Sequence, residues 1–203
     1  MTVIEFNFND DWMGEISRRL GDLNDKTPDV ISQATNSTAR KARKLIVQSL
    51  REHYAEDAKT KEYNAAMKIA RASRKKYDAT IYIRGKVQNL RRFNVSPIDP
   101  PASGSSRPPT TRAQVLLQGG LKELNKGGIK AFITTFKNGD VVVAQRNGSF
   151  YTYHRPTGGI DRHHEAIDKL WSISIPKMAE SQLDPKTVRG NMRDTIQAIL
   201  VEE

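Results

Sequence analysis

Gly128–Gln145 reads GIKAFITTFKNGDVVVAQ, two apolar runs on either side of Asn138-Gly139. An Asn-Gly pair between β-rich runs is the strongest short hairpin signal, because both residues tolerate the positive φ of a two-residue type I′ turn. Ile129, Ala131 and Ile133 alternate with Lys130, Phe132 and Thr134, the period of a strand with two different faces. A bulge before Phe136 would set one aromatic on each face. Val141-Val142-Val143 is unbroken and β-branched, as in a strand covered on both sides. The expectation is an α+β fold, with an antiparallel sheet built on this central hairpin and packed against a long N-terminal amphipathic helix.

The 203 residues suit a single domain, 1–203, and carry a formal net charge of +10. A hydrophobic fraction of 37% is low, so part of the surface is expected to be exposed or to depend on partners. Cysteine is absent, which excludes disulfides and thiolate chemistry and suits synthesis in a cytosol. No stretch approaches the roughly 18 apolar residues that span a bilayer. The start, MTVIEFNFNDDW, lacks the basic-then-apolar order of a signal peptide.

Residues 1–26 read as an arm or short helix: Val3, Ile4, Phe6 and Phe8 suit a short strand, and Trp12, Met13, Ile16 and Leu20 a helix behind Asp10-Asp11. Helices are expected over 27–76. Thr27 can cap the first, Pro28 suits its first turn and Asp29 complements its dipole. A stripe of Ile31, Ala34, Thr38, Ala42, Leu45, Ile46, Ser49 and Leu50 carries it to about His53. Its cations, Arg40, Lys41, Arg43, Lys44 and Arg51, fall mainly off that stripe and read as a solvated face. A second helix spans Ala58–Lys76 on Tyr63, Ala66, Met67, Ile69 and Ala70.

The sheet is expected over 77–178, with strands at Ala79–Arg84, Leu90–Val95, Ala113–Gln118, the hairpin, and Ile167–Ile175. Residues 98–112, dense in Pro, Gly, Ser and Thr, form a projecting loop, since the strands on either side read as one sheet. Phe150, Tyr151 and Tyr153 open a second, aromatic excursion at the sheet edge. Asp184-Pro185 starts a C-terminal helix over 184–203.

Few residues carry chemistry. His154, His163 and His164 lie near Asp161 and Glu165, yet adjacent histidines diverge in either helix or strand, and no metal or cofactor is expected. Phosphate-cradling and nucleophile motifs are absent, so no catalytic residue is assigned. A toxin-like or nuclease rival would use His163 or His164 as base. Arg71, Arg74, Lys75, Lys76, Arg91 and Arg92 stand beside Tyr77 and Phe93, the pairing of phosphate contact with stacking surface that nucleic-acid binding uses. The preferred reading turns Tyr77 and Phe93 into the core and leaves the cations in water. In LWSISIPKM, Trp171, Ile173 and Ile175 share a strand face, and Trp171 suits either core or interface.

The succession RASRKKYDATIYIRG, LRRFNVSP, a variable loop, GGIKAFITTFKNGDVVVAQRNG and EAIDKLWSISIPKMAE resembles the minor tail protein Z family of bacteriophages and prophages, the tail completion proteins. The resemblance covers roughly residues 30–180, and the FYTYHRPTGGIDRHH insertion and Leu170-Trp171-Ser172 depart from the family pattern. It implies a non-catalytic virion protein, made in the host cytoplasm and placed at the head-proximal end of the tail or in the neck. Its partners would be further copies of itself in a ring, the tail tube or its terminator, and the head connector, with possible contact to packaged DNA and no membrane. The interface candidates are Pro100, Pro101, Pro108, Pro109, Phe150, Tyr151, Tyr153 and Trp171. The alternative is a basic DNA-binding accessory protein using the six cations above.

Overall fold

Thr27 and Pro28 do open the long helix. The computed structural model describes residues 1–6, 18, 27–56, 60–101, 109–126, 128–153, 162–184 and 186. The expected helix around Trp12–Leu20, almost all of the 184–203 helix, and His154 and Asp161 lie outside the described residues. The chain is mixed α+β with antiparallel sheets, and it divides into two compact units. The first draws on Met1–Glu52, Ala58–Lys86 and Ile173–Glu203, the second on His53–Asp57 and Val87–Ser172.

In the first unit, β1 (Thr2–Phe6), β2 (Met67–Ala70) and β3 (Ala79–Ile83) form a sheet in the order β1-β3-β2. Thr2–Phe6 is therefore a full strand and not a loose arm. The central strand is covered along its length: Phe6 pairs with Ala79 and Thr2 with Ile83 on one side, Ala70 with Thr80 and Met67 with Ile83 on the other. Ile81 and Ile83 are completely buried. The long helix α1 spans Thr27–His53 and buries Ile31, Thr38, Ala42, Ile46, Ser49 and Leu50. Ala34 and Leu45, expected on the same stripe, are only half-buried. Buried hydroxyls on α1 are satisfied, as burial demands: Thr35 Oγ1 donates to the Ile31 carbonyl at 2.8 Å and Ser49 Oγ to Gln182 Oε1 at 3.0 Å.

The expected helix over Ala58–Lys76 is corrected. Helix α2 covers only Thr60–Ala66, and Met67–Ala70 is strand β2. Met67 and Ile69 satisfy a two-residue period as well as a helical one, and pairing with Ile83 and Ile81 decides for the strand. Ile175, expected to close a strand, instead begins helix α3 (Ile175–Leu183). Ser174 caps it, accepting from the Lys177 amide at 3.5 Å, and Pro176 sits in the first turn, where its missing N–H costs nothing. A side chain at Gly85 would place its Cβ 3.3 Å from Pro176 Cδ, so the bare glycine lets the start of α3 come close.

The second unit holds β4 (Val87–Asn89), β5 (Asn94–Ser96), β6 (Arg112–Gln114), β7 (Lys122–Glu123), β8 (Asn125–Lys126), β9 (Ile129–Lys130), β10 (Phe132–Thr135), β11 (Val141–Tyr153) and β12 (Arg162–Lys169); β13 (Trp171–Ser174) follows. In place of one sheet centred on the hairpin, the unit has small sheets ordered β5-β6-β7, β8-β9 and β10-β11-β12. Leu90–Val95 is likewise not one strand. Leu90–Arg92 is a 3₁₀ turn capped by Asn89, whose Oδ1 accepts from the Arg91 amide at 3.1 Å. The strand expected over Ala113–Gln118 stops at Gln114, before a 3₁₀ turn at Leu117–Gly119.

The Asn138-Gly139 hairpin exists, but its turn differs. Thr135 pairs with Val141, the Phe136 amide donates to the Asp140 carbonyl at 2.8 Å, and Gly139 donates back to Phe136 at 2.9 Å. Only Gly139 has positive φ, +85°. This is a three-residue loop with one left-handed glycine, where a type I′ turn would need two left-handed residues. Asn138 holds the loop by its side chain, accepting from the Asp140 amide at 3.1 Å. Val142, Val143 and Ala144 are fully buried, as the unbroken apolar run implies.

Candidate functional site

The Pro-rich segment grows from a rigid base. Ser96 pairs with Arg112 across β5 and β6, so the strands on either side of the Pro-rich segment do share one sheet. Thr111, wholly buried, anchors the returning stem: its amide donates to Ala131 at 2.9 Å and its carbonyl accepts from Leu124 at 3.0 Å. Pro100 and Pro101 are half-buried and Pro109 is exposed, whereas Pro108 lies outside the described residues.

Phe150, Tyr151 and Tyr153 are not in a loop. They belong to β11, where Phe150 faces Glu165, Tyr151 faces His164 and Tyr153 faces Arg162 of β12. The aromatic excursion is thus corrected to a two-stranded ribbon. A bulge between Arg146 and Phe150 shifts the register, and bulges of this kind bend and re-aim a strand. Strand β10 pairs only with Val141–Ala144, while β12 pairs from Ala144 onward, so the two neighbours of β11 overlap at Ala144 alone. Trp171 lies in β13.

The six cations named for nucleic-acid binding divide between the two units. Arg91 and Arg92 belong to the second unit and are engaged there. Arg91 Nη2 stands 3.9 Å from Asp99, and Arg92 Nε lies 3.2 Å from Glu56, whose side chain is fully buried. Phe93 is buried, as expected, and Tyr77 half-buried. These two arginines edge a cleft of about 530 Å³ that also meets Asn89, Asn94, Ile98 and Val141. In the first unit Arg74 grips Asp29 of α1 with two hydrogen bonds. Those bonds and the guanidinium charge hold the Asp29 carboxyl below the usual carboxylate range and raise Arg74. Lys75 and Lys76 are exposed on a tight turn in which the Lys76 amide donates to the Ser73 carbonyl at 3.1 Å.

Arg71 alone of the six meets new company. Its neighbours are Gln33, Asn36, Arg40 and Arg43 of α1 and Ile69 of β2, around a cleft of about 320 Å³. Asn36 clamps the segment in place: its Nδ2 donates to the Ala72 carbonyl at 3.1 Å and its Oδ1 accepts from the Ala72 amide at 2.9 Å. The spacing of 33, 36, 40 and 43 was a visible helical stripe. That Arg71 joins it was not, because the contact depends on where β2 ends. Among the described residues no group of three or more His, Cys, Asp and Glu could hold a metal ion, and no helix is long and apolar enough to cross a membrane. No family model, curated protein or solved structure matches the chain.

Proposed function

We propose that the chain is a non-catalytic virion protein, a tail completion or neck protein that joins the head-proximal end of a phage tail to the head connector as a homo-oligomeric ring. The observation that carries this reading is the β11–β12 ribbon. A two-stranded ribbon is at best marginally stable alone in water and gains from a third strand or a covering surface. Beyond Ala144, β11 pairs with β12 alone among the described residues. Identical copies in a ring supply such a partner by head-to-tail contact, and strand addition is an economical way to make it. The Pro-rich segment joining β5 to β6 suits contact with a different partner, the tube or connector.

The deciding experiment removes the protein from the phage or prophage that encodes it. Heads and tails should then accumulate unjoined, and supplying the protein should restore joining. Joined, infectious particles formed without it would defeat the reading. Such a particle protein lives in the virion after assembly in the host cytoplasm.

A further inference from the structure

We infer that the cleft between α1 and the end of β2 is an oxyanion site that takes a phosphate group, bound by Arg40, Arg43 and Arg71. Gln33, Asn36, Arg40 and Arg43 recur every three or four residues and so lie along one side of α1. Ile69 and Arg71 are two residues apart, the spacing that puts side chains on one side of an extended chain. Three arginines thus line one small cleft. None of the three has a carboxylate partner among the described residues.

Helix α1 carries acids only near its ends, at Asp29 and Glu52. Arg40 is three residues from Arg43 and four from Lys44, spacings at which like charges repel by a few tenths of a kcal/mol, roughly the size of a favourable helix pair. Asp29, on the same side as Gln33, would repel an anion, but Arg74 already holds it. The cleft is therefore positive and its nearest negative group on the helix is neutralised.

Its geometry is held in advance. The paired hydrogen bonds of Asn36 to both backbone groups of Ala72 fix the segment that presents Arg71 to the helix. Ile69 supplies an apolar wall, which strengthens charge interactions beside it. The exposed Gln33 amide adds a neutral donor. A guanidinium is a planar fork that binds phosphate through two parallel N–H···O bonds. Three such forks suit a tetrahedral anion with several acceptor oxygens better than a flat carboxylate, which one fork saturates. The phosphate can belong to a nucleic-acid backbone or to a small phosphate-bearing molecule. This site stands independently of the tail-joining reading.

The test uses the full-length chain, a short labelled DNA duplex followed by fluorescence anisotropy, and inorganic pyrophosphate followed by calorimetry. The triple variant R40Q/R43Q/R71Q is compared with K61Q/K122Q/K137Q, which loses the same charge elsewhere; R40K/R43K/R71K keeps the charge and loses the forks. Each lost phosphate contact should lower the slope of log affinity against log salt by about 0.9. The cleft variant should thus weaken probe binding about tenfold or more, the control triple much less, and the lysine triple to an intermediate degree. Duplex binding that pyrophosphate displaces assigns a nucleic-acid backbone; pyrophosphate binding without duplex binding assigns a small molecule. The inference is overturned if wild type binds neither probe, if both glutamine triples lose affinity equally, or if a polyglutamate peptide competes as well as pyrophosphate. Should the glutamine variant lose its circular-dichroism melt, the lysine variant alone decides, and unchanged binding in it counts against the site.

Discussion

The sheets β1-β3-β2 and β10-β11-β12 differ in how their middle strands are covered. β3 is flanked on both sides through nearly its whole length, and Ile81 and Ile83 are fully buried. β11 is longer, yet its two neighbours meet it on successive stretches and overlap only at Ala144. In the first sheet the middle strand is paired along both edges. In the other, one edge of β11 beyond Ala144 is unpaired among the described residues, and an unpaired edge is a template for another chain. On the proposed reading, stability and assembly fall to different parts of one molecule.

The sharpest way to break that contrast is to strike both sheets. Ile81→Ala should cost about 3 kcal/mol in urea unfolding, since it opens a cavity where nothing can collapse inward. Replacing Phe150, Tyr151 and Tyr153 together with Ser should change the unfolding of the isolated chain by less than about 1 kcal/mol while abolishing self-association in native mass measurements. Comparable destabilisation by both would erase the distinction. Next in size is Arg92→Ala. It removes a charge partner from the buried Glu56 carboxylate and should cost about 1–3 kcal/mol by thermal melting; a smaller loss would mean that the other contacts of Glu56 suffice.

The smallest effect belongs to Asp29. Its folded-state pKa is depressed, so its contribution is fully present above the ordinary carboxylate value and is lost as pH falls through the depressed one. Wild type should exceed Asp29→Asn slightly at neutral pH, and the gap should close as the solution is acidified below about pH 4. A gap that stayed constant down to strong acid would show that the Arg74 pair contributes nothing. The pair is exposed enough that solvent screening keeps the difference small.

What could be read from the residues followed how local the signal was. Helix α1 declared both its start and its end, because Thr27, Pro28 and Asp29 act within one turn and the apolar stripe persists to His53. Strand β3 was equally plain. The β2 segment was not: Tyr63, Met67 and Ala70 fit a helix, and only Ile81 and Ile83, a dozen or more positions away, settle Met67 and Ile69 as a strand. At Asn138-Gly139 the reversal was legible, while its type depended on Asp140 bonding back to Phe136. Ser174 and Pro176 carried a helix start that the apolar run before them obscured. The arginine cleft mixes both cases, half of it a helical stripe and half an encounter held by Asn36.

The closed stem beneath residues 97–111 has one more consequence. Because Ser96 and Arg112 already meet and Thr111 is pinned from two sides, exchange of the residues between 101 and 109 should leave that pairing in place. Doubling the length of such a segment adds only about 0.6 kcal/mol of closure entropy. Foreign peptides spliced in between residues 101 and 109 should therefore be carried as passengers while the framework stands still.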